Sequence, residues 1–233
     1  MANKKTVTTS AEKVRKRNSM VIAIRLALVA LLALLIILYT VLHLAYGPGN
    51  FTVTLDQAAA KEMHLILYEN KEERKPRFTL EATPIEFVTN ISVDWLPKNI
   101  DNEGDGNHNG ANYLAYTFYV ENKGVDVCNY WYKIPVDDVI KNVDEAIRVM
   151  IFKNGEKTIY AKLNGKTNQP ESETTAFYES DVAVLEKREA IQPEEVDKFT
   201  VVIWLEGDDP DCIDDLLGGE IKMHMEITEE HIQ

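Results

Sequence analysis

Chemistry-bearing patterns are scarce in this chain. Its 233 residues hold two cysteines and five histidines. Two thiols make neither the multi-bridge framework of small secreted domains nor a thiolate metal cluster. His43, His64, His108, His224 and His231 lack H-E-x-x-H spacing, and no Gly-x-Ser-x-Gly, Walker or dinucleotide-binding pattern occurs. Nothing adjacent to Cys128 or Cys212 supplies a base to activate either as a nucleophile. These absences point away from an enzyme. No internal repeat is evident.

Basic charge is also short, and it is unevenly placed. Of 25 Lys and Arg and 38 Asp and Glu, residues 1–45 hold seven and one, leaving 18 and 37 for residues 46–233. The first part is therefore net +6 and the second net −19. So acidic a body argues against nucleic acid and against lying flat on anionic lipid. It favours solubility, cations or basic partners.

One stretch lacks acidic residues altogether. Residues 20–45, MVIAIRLALVALLALLIILYTVLHLA, are also uncharged from Leu26 to Leu42. As a helix they would cover about 39 Å, enough to cross a hydrocarbon core of about 30 Å. The tail before them, residues 1–19, is basic and should stay cytoplasmic by the positive-inside rule, which places residues 46–233 outside. Arg25 lies close enough to the cytoplasmic face for its stem to return the guanidinium to the headgroups. Tyr39, His43 and Tyr46 suit the outer interface. The rival is a cleaved signal peptide, but its apolar core usually runs about 7–15 residues before a small-x-small site. The candidates here, Ala45-Tyr46-Gly47 and Gly47-Pro48-Gly49, are encumbered by Pro48. A retained single-pass anchor is expected, with cleavage near Gly49 as the alternative.

Beyond the Gly47-Pro48-Gly49 breaker, β patterning dominates. Phe51–Asp56 alternates apolar and polar residues, so the linker between span and fold is very short. Met63–Glu69, Phe78–Val88, Tyr113–Glu121, Val127–Ile134, Ser180–Arg188, Lys198–Glu206 and Glu220–Thr228 read as strands. Ala146–Lys153 and Glu156–Leu163 join through Asn154-Gly155, the best hairpin signal in the chain. Asn90–Leu96 reads as a helical turn, and two short helices are predicted, at Val136–Asp144 and at Asp209–Leu217. The second has Asp209 as cap, Pro210 at its first position and Gly218-Gly219 as stop. The expected fold is all-β, a jelly-roll or β-sandwich ectodomain behind one transmembrane helix.

Four features carry possible chemistry. The loop Asp101–Gly110 (DNEGDGNHNG) offers oxygen ligands at alternating positions with Gly at the sixth, as a calcium loop begins. Its twelfth position is Asn112 rather than a bidentate Glu, so a solvated loop is expected, with calcium on Asp101, Glu103 and Asp105 as the alternative. Asp208, Asp209, Asp211, Asp214 and Asp215 form a second acidic cluster, which helix capping would account for without a cation. Cys128 and Cys212 are open to a disulfide in an extracellular setting, or to two free thiols. Asn50-Phe51-Thr52 and Asn90-Ile91-Ser92 fit the glycosylation sequon.

Two stretches together resemble a known family. Tyr113–Tyr132 (YLAYTFYVENKGVDVCNYWY) resembles the strand, Glu-Asn-x-Gly turn and strand of the TasA/camelysin family of exported bacterial matrix-fibre and cell-surface proteins. Phe199–Glu206 with Gly219–Ile227 is similar to that family's closing strand pair, and Asn50–Asp56 to its first strand. The resemblance implies a jelly-roll domain outside a Gram-positive-type cell, able to self-associate or meet other surface proteins by adding a strand at a sheet edge. The chain departs from the family in its retained-looking span. It also has no zinc motif to receive the metalloprotease activity that camelysin's name claims. Together these readings give a membrane-anchored, non-enzymatic surface protein with a structural or adhesive role. A secreted fibre subunit is the alternative, and a calcium-dependent binder or tethered hydrolase the third reading.

Overall fold

The computed structural model describes residues 11–46, 51–56, 64–85 and 89–230. Residues 1–10 of the basic tail, the breaker Gly47-Pro48-Gly49 with the candidate cleavage site, the Asn50 sequon, Met63 and residues 86–88 lie outside the described residues, as do the side chains of His43 and Tyr46. Two compact units are present, Met1–Gly47 and Pro48–Gln233. The first is one helix, α1 (Ala11–Tyr46), whose segment Met20–Val41 is long and apolar enough to cross a membrane. None of that segment is buried by protein, as lipid or signal-sequence helices require.

The second unit is a sandwich of two mixed sheets. Its strands are β1 (Thr52–Leu55), β2 (Leu65–Tyr68), β3 (Thr79–Glu81), β4 (Gly106–Asn107), β5 (Tyr113–Asn122), β6 (Cys128–Ile140), β7 (Ile147–Lys153), β8 (Glu156–Ala161), β9 (Thr175–Ala176), β10 (Val182–Ile191), β11 (Val196–Leu205), β12 (Glu220–Met223) and β13 (Met225–Glu230). One sheet runs β10-β6-β13-β1-β3, with β12 on the far half of β6. The other runs β2-β5-β11-β7-β8-β9, with β4 beside β5. The core between them is joined by aromatics. Phe118 of β5 stacks on Phe199 of β11 at 5.3 Å, and Tyr130 and Tyr132 of β6 meet Phe199 edge-on from the opposite sheet at 6.4 and 5.2 Å.

β1 is a working part of this core rather than a leader. It pairs in parallel with β13, Val53 opposite Met225, and antiparallel with β3, Val53 opposite Leu80. Alternation then turns Phe51, Val53 and Leu55 into the core, where each is at most 3 % exposed.

Two expected helices are absent. The Val136–Asp144 segment continues β6 to Ile140, because β12 pairs with it from Val136 to Ile140, and only Val143–Glu145 forms a 3-10 turn. Asp209–Leu217 folds as turns with a single 3-10 element at Asp214–Leu216. The closing strand divides at His224 into β12 and β13, while Met223, Met225 and Ile227 remain inward. Asn90–Leu96 does contain a 3-10 turn, Val93–Trp95, capped by Ser92 Oγ accepting from the Asp94 amide. The Asn154-Gly155 hairpin forms between β7 and β8 with φ of 53° and 86°, as its primed turn requires.

The register sorts the connections between two ends of the sandwich. β1 begins beside Met225, at the end where β6 runs into β7, where Arg148 lies opposite Ala161 and Trp204, and where β11 leaves for Asp208. The Asn154-Gly155 turn, the end of β5 and the last residues of β13 lie at the opposite end.

Candidate functional site

The candidate site is built at the end where β1 starts, on the outer face of the second sheet. In β7, alternation sends Ile147, Val149 and Ile151 into the main core and Arg148, Met150 and Phe152 outward. In β11 it sends Val202 and Trp204 outward, where Ile91, Leu96 and Ile100 cover them in a second apolar cluster. Between these residues and the loop at 171–174 lies a cleft of about 500 Å³. Its lining is partly apolar, with Met150, Phe152, Ile159 and Trp204, and partly charged, with Arg148, Glu171, Glu206 and Asp209.

Four carboxylates at that end, Glu171, Glu206, Asp209 and Asp211, are engaged. Glu206 Oε2 accepts from Trp204 Nε1 at 3.0 Å and from the Val93 amide at 3.1 Å, while its Oε1 accepts from the Asp208 amide. It is a staple that fixes the 91–96 segment to β11. Asp209 is fully buried as a side chain; Oδ2 accepts from Arg148 Nη2 at 2.5 Å and Oδ1 from the Asp211 amide at 2.7 Å. Asp211 accepts from the Gly165 amide at 2.7 Å, and Glu171 from Asn164 Nδ2 at 2.9 Å.

Glu171, Asp209 and Asp211 each bring one carboxylate oxygen within 4.8 Å of the others. Among the described residues this is the group whose donor set suits a hard divalent cation. Its charge is partly answered already by Arg148 and two backbone amides. Asp209 and Asp211 belong to the acidic cluster visible in sequence, but Asp209 is there as an ion-pair partner and not as a helix cap. Glu171 carries no sequence signal that links it to them. Arg148 does: a lone arginine inside the apolar run AIRVMIF must bring a counter-charge with it when buried.

The Asp101–Gly110 loop, expected to be solvated with calcium as the alternative, has its own hydrogen-bond partners. Asp101 Oδ2 accepts from Asn102 Nδ2 at 2.9 Å, Asp105 Oδ1 from Tyr119 Oη at 2.6 Å, and Asp105 Oδ2 from the Lys71 amide at 2.9 Å. Lys198 Nζ donates to the backbone oxygen of Asp101 and to Asn102 Oδ1. Asp101 and Asp105 therefore bond to separate partners, and with Glu103 they are not among the described carboxylates that converge. Gly106 keeps a left-handed φ of 69°, but it serves the short β4–β5 pairing rather than a metal loop.

The cysteines are both free thiols, so no disulfide joins Cys128 to Cys212. Cys128 is buried in the main core, where desolvation and then the Glu229 charge push its thiol up to about 11. Cys212 is half-buried beside Asn90, whose Nδ2 donates to its sulfur at 3.5 Å, and its pKa is likewise raised, by burial first. Neither microenvironment favours the thiolate.

Among the described residues, His64, His108 and His224 also hold structural posts. His64 sits beside Glu229, which accepts the His64 and Leu65 amides and lies 3.4 Å from the ring. His224, in the break between β12 and β13, is flanked by Asp137 at 2.7 Å and Glu226 at 3.1 Å. His108 bonds Thr117 at 2.9 Å, and burial lowers its pKa.

No family model matches the chain, and no curated protein does. Among solved structures, β-glucosidase from Kluyveromyces marxianus aligns at 12 % identity over 69 % of this chain and 16 % of that one, with a TM-score of 0.23. Its complex with glucose aligns at 10 % identity over 69 % and 15 %, with a TM-score of 0.24. The chain thus spans about a sixth of that enzyme's length. Likeness at such scores carries no argument about its activity.

Proposed function

We propose that this chain is a membrane-anchored surface protein in which the acidic β-sandwich is the working part and α1 the tether, with a structural, adhesive or envelope role and no catalysis. The carrying observation is α1 itself. It runs unbroken for 36 residues, and its exposed apolar segment of 22 residues exceeds the usual signal-peptide core of about 7–15. Support also comes from the site, where Glu171, Glu206, Asp209 and Asp211 are each committed to a structural partner, which does not suit acid–base work. Sequencing the N-terminus of the protein recovered from cell membranes tests this reading. The expected result is an N-terminus at Met1 or Ala2; a new end near Asn50 would sink the anchor.

That second outcome would favour the fibre-subunit reading drawn from the TasA/camelysin resemblance. One observation speaks for it: β1 is held on one side only by the three-residue β3, so a neighbour's strand could take its place. Against association at the other edge, β10 carries Glu186, Lys187, Arg188 and Glu189 in succession, charges that discourage strand pairing.

A further inference from the structure

We propose that β1 and β13 form a mechanical clamp, so that tension between the N-terminal span and the opposite end of the sandwich is carried along the strands in shear. The proposal rests on the tether reading above. Only residues 47–51 separate the end of α1 from the start of β1, so any pull transmitted through the span enters the fold at Phe51 and β1. β1 then runs parallel to β13 in the register Val53–Met225, Thr54–Glu226 and Leu55–Ile227. Because the pair is parallel, β1 is entered at one end of the sheet and β13 leaves at the other. A force between those points lies along both strands.

Geometry decides what such a force must break. Ladder bonds cross the strands, so sliding β1 lengthwise loads them together, whereas pulling it sideways from its first residue breaks them one after another. On the β13 side the Asp56 amide donates to Ile227 O at 2.9 Å and Thr54 Oγ1 to Met225 O at 3.4 Å, adding to the ladder. On the β3 side the Leu55 amide donates to Phe78 O at 2.9 Å and the Ala82 amide to Phe51 O at 2.8 Å. Sliding also drags Phe51, Val53 and Leu55 through a packed core. β13 is itself held from its other side by β6, from Glu226–Lys133 to Glu230–Asn129. Its Glu229 fixes the His64 and Leu65 amides of the second sheet. Tension is thus passed from the tether into both sheets through a strand pair that resists it collectively.

Single-molecule pulling on the full chain in detergent micelles tests the clamp. One handle is fixed at Met1. The second is placed either at Gln233, for the shear direction, or on Thr167→Cys in a Cys212→Ser background, at the same end as the start of β1, for the peeling direction. At one loading rate the shear geometry is expected to unfold at a force about two-fold higher or more, since forced unfolding reads the barrier and not the equilibrium stability. Equal forces, or a lower force in the shear direction, overturn the clamp. Because the chain under test retains Met1 by construction of the handles, loss of the span in cells would bear on the tether and leave this ratio standing.

Discussion

Arg148 and Asp209 form a buried ion pair, Nη2 to Oδ2 at 2.5 Å, with side chains 5 % and 0 % exposed. An arginine from the apolar face of β7 is thereby matched to the acidic loop after β11. Removing one member strands the other's charge. Arg148→Met is therefore expected to destabilise the domain by about 3–5 kcal/mol, measured by urea unfolding, with Arg148→Lys costing less.

The same pair sets the response to calcium. With Arg148 on Asp209 and the Gly165 amide on Asp211, the native site gains little from a cation, and millimolar calcium should leave the melting temperature unchanged. In Arg148→Met the three carboxylates lose their internal cation, and calcium should then raise the melting temperature. A large shift in the unmodified protein would instead mark Glu171, Asp209 and Asp211 as a true cation site.

Tyr130 donates to Asp197 Oδ2 at 2.5 Å inside the core, and Arg188 Nε reaches the same oxygen at 3.0 Å. Burial, then the Asp197 charge, holds the phenol protonated far above its ordinary value. Tyr130→Phe removes a hydrogen bond to a charged, fully buried group, and should cost about 1.5–3 kcal/mol in the same unfolding assay.

His224 gives the fold a pH dependence of known sign. Burial pulls its pKa down, but the hydrogen bonds to Asp137 and Glu226 and their charges outweigh that, and the net shift is upward. The stabilisation from the imidazolium is thus fully present below the unfolded value of about 6.5 and lost as pH rises through the higher folded value. His108, shifted down by burial, works in the opposite sense. The test is therefore the difference between the protein and His224→Gln. The melting-temperature gap should be wider at about pH 6 than at about pH 9.

Thiol chemistry separates the two cysteines. A maleimide at neutral pH should modify the half-buried Cys212 in the folded protein and spare Cys128 until denaturant is added, as read by intact mass. Electrophoretic mobility should be the same with and without reductant. A disulfide would change both results.

What could be read from the sequence divides along physical lines. The β7–β8 hairpin was legible because Asn154-Gly155 satisfies a local backbone requirement, and β5 because YLAYTFYVE is rich in strand formers over its whole length. The Val136–Asp144 helix failed for the opposite reason. Its apolar spacing fits a helix locally, but β12, at Glu220–Met223 far along the chain, supplies a strand partner and overrides it. Asp209 carried every local mark of a cap, yet its carboxylate is claimed by Arg148 across 61 residues. The Asp101–Asp105 loop matches a ligand spacing, but the partners of Asp105, Tyr119 and the Lys71 amide, lie outside the loop and leave no mark on that spacing. Local turns and alternation are properties of short segments; counter-charges are chosen by the tertiary fold.

The placement of the Asn154-Gly155 turn has a practical consequence. It is an exposed two-residue tip at the end of the sandwich opposite both the entry of β1 and the charged cleft, and neither residue's position is needed by either. A fluorescent or affinity insert there would report on the domain while leaving its tether and its cleft untouched, provided the Lys198 amide keeps its bond to Asn154 Oδ1.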